Sequence, residues 1–470
     1  MAQIPQDDFG PVDVVIMAAG KGTRMKSSLP KVLHRLAGRA LVSHVVATAL
    51  GIQARKVVVV TGHGANEVET ALAEAFTGAP LEFARQLPQL GTGHAVQQAH
   101  PHLDDDGITV VLSGDVPLIG DQTLQALVAD SAGRRLALLT IDFDDPTGYG
   151  RIVRDGEGVQ AIVEHKDATP EQHRIREVYS GVMAVPTRLL KPWLARLDNK
   201  NTQGEYYLTD IVRLATVDGV AVVAHRTDDA LQVAGVNDPV QLAQLERAYQ
   251  QRQAQALMRQ GVRMADPARF DLRGTLVCEA DVEIDVNCVF EGAVSLGAGV
   301  RIGANCVIAN ARIENGAVIH PFTHIDGEKA GVTVGHASLV GPFARLRPGA
   351  RLGPEVHIGN FVEIKNSTLG PGAKANHLAY IGDATVGARV NYGAGSITAN
   401  YDGANKHRTI IGDDVHIGSN CVLVAPISIG AGGTVGGGST ISKSTEPGGL
   451  TVARTRQSSY PNWQRPVKNK

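Results

Sequence analysis

The sequence predicts an α/β domain, a connecting helix and a parallel β-helix, in that order. Three observations carry the prediction. From Val12 to about Asn237, short apolar runs alternate with helical patterns. From Val240 to Gln260, apolar residues recur at helical spacing. From Cys278 to Glu446, they recur every six residues. The expected domains are 12–238, 239–261 and 262–470, and a chain of 470 residues has length enough for two or three.

In the first domain the apolar runs are Val12–Met17, Lys56–Thr61, Ile108–Leu112, Leu136–Ile141 and Ala221–His225. Their spacing suggests βα units and a largely parallel, Rossmann-like sheet. Ligands of such sheets bind where loops leave the carboxyl ends of strands. The first such loop lies in Val14–Lys31, where an apolar run ends in Ala18 and Ala19. Gly20, Gly22 and the cations Lys21, Arg24, Lys26 and Lys31 follow. Glycines let backbone N–H groups approach an anion, and the cations neutralise it. It is not a P-loop, because no Gly-Lys-Ser/Thr follows. Nor is it the dinucleotide fingerprint, because Met25 stands at the third glycine position. The four cations favour a polyphosphate over a merely tight turn.

The next loop, Gln86–His94, holds Gly91 and Thr92 between Gln86, Gln89 and the helix expected at Ala95. It either reads the polar edge of a base or simply turns into that helix. Asp115 follows the strand Ile108–Leu112 directly. It is placed either as a magnesium ligand or as a turn aspartate. Gly148–Arg151, Glu164–Asp167 and Gly204–Tyr207 offer polar groups to a sugar or to solvent.

Asn237-Asp238-Pro239 reads as a boundary. Leu242, Leu245, Ala248, Tyr249, Leu257 and Met258 then define a helix closed by Gly261. At about 1.5 Å per residue it spans roughly 30 Å.

The carboxyl half repeats every six residues. Ile284, Phe290, Leu296, Ile302 and Ile308 are one series; Val334, Val340, Leu346, Leu352, Ile358 and Ile364 are another; Ile411, Ile417, Leu423, Ile429, Val435 and Ile441 are a third. Neither helix nor simple strand has that period, but each side of a triangular β-helical coil does. The positions two before each marker are small or apolar and include Cys288, Cys306 and Cys421, while Cys278 falls on a marker. All four cysteines therefore read as packing thiols, and with no C-x-x-C they suggest a reduced, cytoplasmic chain. Arg347 and Lys365 follow markers one coil apart, so they stack. Either an anion lies between them or a carboxylate such as Glu363 pairs with them. Regularity breaks at Leu369 and again over 391–409, which is too polar for a coil and should loop outward. His377 lies outside the inward positions, beside Asn376 and Tyr380, as a general base or a solvated ring. The tail adds Lys443, Arg454, Arg456, Arg465 and Lys468, to meet solvent or a polyanionic cofactor.

A net charge of −2 argues against a nucleic-acid coat or a polybasic membrane surface. The amino terminus carries Asp7 and Asp8 and no apolar signal-peptide core, and no apolar run has spanning length.

These residues together resemble the bifunctional bacterial family of N-acetylglucosamine-1-phosphate uridylyltransferase/glucosamine-1-phosphate acetyltransferases. The resemblance runs from Val12 to the end. It rests on AAGKGTRM at 18–25, LPKVLH at 29–34, QLGTGHA at 89–95, GDVPL at 114–118, DPTGYGR at 145–151, EHKDA at 164–168 and GEYYLTD at 204–210. In the second half it rests on RLRPGA at 345–350, GNFVEIK at 359–365, NYGAG at 391–395 and NYDGANK at 400–406.

The resemblance implies a two-step synthesis of UDP-N-acetylglucosamine, a precursor of cell-wall polysaccharide. The carboxyl-terminal domain would acetylate glucosamine 1-phosphate from acetyl-CoA. The amino-terminal, nucleotidyltransferase domain would join N-acetylglucosamine 1-phosphate to UTP with Mg²⁺, releasing pyrophosphate. By resemblance Asp115 and Asn237 hold the metal. Ala18, Ala19, Gly20, Arg24 and Lys31 serve the nucleotide phosphates, and Gln86, Gly91 and Thr92 the uracil. Gly150 and Glu164 serve the amino sugar. Tyr179 stands where the family often has asparagine, which leaves its sugar contact open. In the second site His377 is the implied general base, with Glu363 a candidate orienter of its ring. Arg347 and Lys365 would hold the sugar phosphate. Tyr380, Asn391, Asn400 and Tyr401 match positions around the sugar or acetyl group, and Ala394, Ser419, Gly437 and Arg454 those around acetyl-CoA. The implied β-helix is left-handed and the implied assembly a homotrimer, with no nucleic-acid or membrane partner. A pyrophosphorylase with a merely structural β-helix, and a non-catalytic scaffold, are the alternatives.

Overall fold

The computed structural model describes residues 10–156 and 158–468, so Asp7 and Asp8 lie outside the described residues. The chain divides into two compact units between Ala248 and Tyr249, within the helix Pro239–Arg259.

The first unit is built on a mixed sheet. Its strand order is Val222–Arg226, Leu136–Asp142, Glu177–Pro186, Ile108–Ser113, Val12–Met17, Lys56–Thr61, Leu81–Arg85. Alternation buries both faces. Val14 and Ile16 pack with Val57, Val59 and Val110 on one side, and Val15 packs with Val58, Val60 and Val111 on the other. β-branched runs suit a sheet covered by helices on both faces. The parallel βα reading holds from Val12–Met17 out to Leu81–Arg85 and Ile108–Ser113. It misses Glu177–Pro186, which runs antiparallel between Ile108–Ser113 and Leu136–Asp142. The register of that strand shifts between Tyr179 and Met183, and Gly181 sits there at φ +88°. A bulge breaks the two-residue alternation that would have marked it as a strand. The antiparallel hairpin Arg151–Asp155 and Gly158–Val163 joins the same strand.

The second unit is a left-handed parallel β-helix with three faces, one of them an eleven-stranded sheet from Arg263–Met264 to Leu450–Thr451. Ten intervals of about 4.8 Å make a prism roughly 48 Å long. The six-residue markers face the core: Ile284, Ile302, Val340, Ile358, Ile417 and Val435 are all buried. Coil length varies. Val340 pairs with Ile358 and Ile417 with Val435, eighteen residues on, whereas Ile358 pairs with Ala375 and Ala375 with Tyr392, seventeen on. The shorter coils explain the break at Leu369.

The polar stretch 391–409 corrects the sequence expectation. Asn391–Tyr392 and Ile397–Ala399 are strands of the coil, with Tyr392 buried at an inward position. Only the residues after Ala399, up to Thr409–Ile411, loop outward. Polarity misled because a coil residue facing solvent is free to be polar.

The cysteines do face the core. Cys288, Cys306 and Cys421 are buried, Cys278 is half-buried, and all four are free thiols. Burial pushes Cys288 up to about 12 and Cys278 and Cys306 up to about 11.

One corner of the prism is a column of left-handed residues. Asn305, Phe322, Phe343, Phe361, Leu378, Gly395 and Asn420 all have positive φ. Backbone bonds such as Phe361 N to Phe343 O and Leu378 N to Asn360 O climb that corner. Asparagine and glycine tolerate the conformation, but a bulky residue is there at a cost of about 1–2 kcal/mol. The rings of Phe322 and Phe343 stack at 5.0 Å, and those of Phe343 and Phe361 at 5.5 Å. Among the described residues no helix is long and apolar enough to cross a membrane.

Candidate active sites

The first site forms where Val12–Met17, Ile108–Ser113 and the loop after Thr61 converge. Ala18 N donates to Val60 O at 2.8 Å and Gly114 N to Met17 O at 2.9 Å, so both loops leave the sheet side by side. Gly22, at φ +58°, lies against Lys31; a Cβ there would fall 2.5 Å from Lys31 Cβ. That close approach turns Lys31 back over the strand ends. Its ammonium contacts the Asp115 carboxylate and donates to Asn237 Oδ1 at 3.2 Å. Asn237 reaches this point because Val236 N donates to Asp115 O at 2.9 Å. Two oxygens from distant parts of the chain thus converge on one cationic nitrogen. A carboxylate and an amide oxygen suit a hard dication that keeps water and phosphate ligands. Among the described residues no group of three or more His, Cys, Asp or Glu is placed to hold a metal by itself.

A cavity of about 300 Å³ opens here. Ala18, Ala19, Gly20, Lys31, Gln86, Gly91, Thr92 and Asp115 line it, as do Ser113, Gln89 and Glu205. The helix begins at Thr92 rather than Ala95. Gln86, buried, donates through Nε2 to Gly91 O at 2.9 Å. Gly93 N donates to Tyr206 O at 2.8 Å, and a Cβ on Gly91 would lie 2.7 Å from that oxygen. The QLGTGH and GEYY motifs are therefore two sides of one wall. Glu205 was missed; its motif was noted but not its cavity position. Arg24, Lys21 and Lys26 are exposed and do not line the cavity.

Gly150, Glu164 and Tyr179 form a neighbouring group. Tyr179 N donates to Gly150 O at 2.9 Å, and a Cβ on Gly150 would lie 3.8 Å from both Glu164 oxygens. Thr209 Oγ1 donates to Glu164 at 2.9 Å. Burial raises the Glu164 carboxyl above its ordinary range, with Asp210, Asp167 and Glu205 adding to the effect. The Tyr179 hydroxyl is buried with no hydrogen-bond partner among the described residues, and burial raises it far above the usual phenol range.

The second site lies on the β-helix. Leu346 pairs with Ile364 and Lys365 with Gly382, so Arg347 and Lys365 stack on neighbouring coils. Arg347 donates to Glu363 at 2.8 Å, and Arg345 lies 3.5 Å from the same carboxylate. Among the described residues Lys365 makes no ion pair. Instead Lys406, from the outward loop, lies against it and lowers its affinity for a proton. The corner thus holds three cations, Lys406 being one that sequence reasoning overlooked although it ends the NYDGANK motif. Asp383 braces the loop: it accepts from Asn366 Nδ2 at 2.5 Å and from Asn400 Nδ2. Asp402 accepts from Ala404 N, Asn405 N and His407 Nε2, which holds its carboxyl well below the usual range. Tyr401, exposed, donates to Gly403 O at 2.5 Å. Gly382 leaves room for Tyr380, whose hydroxyl would lie 2.2 Å from a Cβ there.

His377 is exposed, and its Nδ1 lies 2.9 Å from Asn360 Oδ1. This corrects the expected ring partner. Glu363 is engaged by Arg347 and does not orient His377. Asn391 lies on the outside of the next coil, paired with Lys374. The residues matched to acetyl-CoA come together on one corner. Asn420 N donates to Ala394 O, Gly438 N to Ser419 O and Arg454 Nη1 to Gly437 O, each at 2.7 Å.

Comparison with known proteins finds relatives along nearly the whole chain. The MobA-like NTP transferase domain family matches residues 14–265. The curated relatives named bifunctional protein GlmU include the following three. That from Albidiferax ferrireducens is 70% identical over 97% of this chain and 100% of its own. That from Polaromonas naphthalenivorans is 72% identical over 97% of this chain and 98% of its own. That from an Azoarcus species is 55% identical over 98% of this chain and 100% of its own.

Proposed function

The chain belongs to the GlmU family of bifunctional proteins, and on that premise we propose that it makes UDP-N-acetylglucosamine at two separate centres. Residues 12–238 transfer uridylyl, 239–261 connect, and 262–470 transfer acetyl. What carries the reading is that one chain holds both an Asp115–Asn237 oxygen pair beside a nucleotide-sized cavity and, on its β-helix, a three-cation corner and an exposed histidine.

In acetyl transfer, Arg347, Lys365 and Lys406 hold the phosphate of glucosamine 1-phosphate. An anion between stacked cations relieves their repulsion. The sugar amine attacks the thioester carbonyl of acetyl-CoA, and His377 takes its proton. Tyr380, Asn391, Asn400 and Tyr401 surround the sugar. Ala394, Ser419, Gly437 and Arg454 hold the cofactor.

In uridylyl transfer, Gln86, Gly91 and Thr92 hold uracil, and Lys31 with Arg24 neutralises the phosphates. Gly150, Glu164 and Tyr179 seat the amino sugar so that its phosphate lies in line with the α-phosphate of UTP. The donor set of Asp115 and Asn237 fits Mg²⁺, which when bound supplies charge neutralisation on the phosphate oxygens.

The assembly we propose is a homotrimer. Phe322, Phe343, Phe361 and Leu378 support it, being stacked at one corner and between 47% and 61% exposed. Four free cysteines, three of them buried and one half-buried, support a reducing, cytoplasmic setting. The test is to supply glucosamine 1-phosphate, acetyl-CoA, UTP and Mg²⁺ and follow free thiol and pyrophosphate separately. Pyrophosphate from pre-acetylated sugar alone, without thiol release, would leave only a pyrophosphorylase. Light scattering checks the trimer.

A further inference from the structure

His377 Nδ1 lies 2.9 Å from Asn360 Oδ1, and with the carboxamide oxygen assigned to this side the ring nitrogen is the donor. A carboxamide oxygen only accepts. Nδ1 therefore carries the proton, and the lone pair of the neutral ring sits on Nε2. The two residues are opposed by the fold itself. His357–Asn360 and Lys374–His377 are neighbouring parallel strands, with Asn360 in register with His377 one coil away. Asn360 O also accepts from Leu378 N at 3.0 Å, so backbone and side chain of one residue hold the same turn. Phe361, next in sequence, is fixed by stacking on Phe343 at 5.5 Å.

We propose that Asn360 is the positioning residue of acetyl transfer: it holds His377 in the tautomer whose Nε2 accepts the amine proton. The proposal rests on His377 being the general base. The amine nitrogen bonds to the thioester carbonyl carbon, and its proton passes to Nε2. The C–S bond then breaks, and the departing CoA thiolate takes that proton back. While the ring is cationic, the Nδ1–H bond to Asn360 strengthens, as charge-assisted bonds do. The partner at Nδ1 is a neutral carboxamide, not a carboxylate. The charged and titratable groups around the ring fit this. Lys374 shares its strand and His357 starts the strand below. Glu363 is committed to Arg347 and Arg345. Tyr380 follows in the same coil, and the coil above presents Ala394 and Gly395 at this level.

The test is the pH dependence of kcat for CoA thiol release in Asn360→Ala, Asn360→Asp and His377→Ala, with uridylyl transfer as the folding control. Asn360→Ala should lower kcat about tenfold, with KM for both substrates within about twofold and the acid limb shifted to lower pH. Asn360→Asp should shift the acid limb to higher pH, because its carboxylate favours the imidazolium. An unchanged kcat and pH profile in Asn360→Ala, with His377→Ala inactive in thiol release, overturns the proposal. If His377→Ala itself releases thiol at the wild-type rate, the general-base reading falls and takes this one with it. Should Asn360→Ala fail to fold, the direction of the Asn360→Asp shift decides alone, and an unmoved limb overturns the proposal.

Discussion

Gln250 acts as a strand for Leu272. Its amide Nε2 donates to Leu272 O at 2.9 Å and its Oε1 accepts from Leu272 N at 2.8 Å, with Gln250 almost fully buried. Leu272, in the strand Phe270–Cys278, pairs with Phe290 on its other side, so one side chain satisfies both backbone groups of Leu272 at the strand's open edge. An unpaired buried peptide costs about 1–3 kcal/mol per group. Gln250→Leu should therefore lower the unfolding free energy of the second unit by about 3 kcal/mol, read by denaturant titration. A loss below about 1 kcal/mol would mean that water replaces both bonds.

That relationship was invisible in the sequence, where Gln250 is one glutamine among several in a polar helix. What was legible followed from periodicity. The six-residue series placed Ile358, Ile417 and Cys421 in the core without any structure, because inward positions of a coil tolerate little but small or apolar groups. Periodicity failed where the coil changed length or a large side chain turned inward, as at Ala375 and Tyr392. It also gave no view of partners chosen across coils. Asn360 meets His377 only because the coil between them is seventeen residues long. Lys406 meets Lys365 only because the excursion folds back. In the first unit the loops after parallel strands were found, whereas the antiparallel Glu177–Pro186 was hidden by its bulge.

The cysteines offer a chemical check on the core assignment. With Cys288 pushed to about 12 and Cys306 to about 11, thiolate is scarce at neutral pH and the sulfurs are also shielded. A thiol reagent at pH 8 should label these two only as fast as the β-helix opens, and quickly in denaturant. Rapid labelling of more than one cysteine in the folded protein would contradict the packing role.

Glu164 predicts a pH effect on stability. Its folded pKa is raised, chiefly by burial, so the folded state holds its proton more tightly than the unfolded chain. Stability from this group is complete below the ordinary carboxylate range and is lost as pH rises through the raised value. Glu164→Gln removes that titration. Its melting temperature relative to wild type should rise as pH increases from 4 towards neutrality, while uridylyl transfer falls. A difference that is constant with pH would show that the carboxyl titrates alike in both states.

The two centres should separate by mutation. His377→Ala is expected to abolish thiol release and leave pyrophosphate release from pre-acetylated sugar at the wild-type rate. Asp115→Ala should do the reverse, because it removes one of the two oxygens that converge on Lys31. Loss of both activities in either variant, with the fold intact by circular dichroism, would sink the two-site account.

Lys406 gives the sharpest test of the cation corner. Its ammonium lies against that of Lys365 and lowers the affinity of Lys365 for a proton, an arrangement that costs energy until an anion fills it. Arg347, by contrast, is already satisfied by Glu363 at 2.8 Å. The two lysines should therefore carry most of the phosphate recognition. Lys406→Ala should raise KM for glucosamine 1-phosphate by about 10- to 100-fold, the range of a lost charge-assisted hydrogen bond, and change KM for acetyl-CoA by less than about twofold. Lys406→Arg should recover most of the loss. Removing one of two repelling cations should also restore the proton affinity of Lys365 in the free protein. Steady-state kinetics at fixed acetyl-CoA decide the matter, and an unchanged KM for the sugar phosphate would place its phosphate elsewhere.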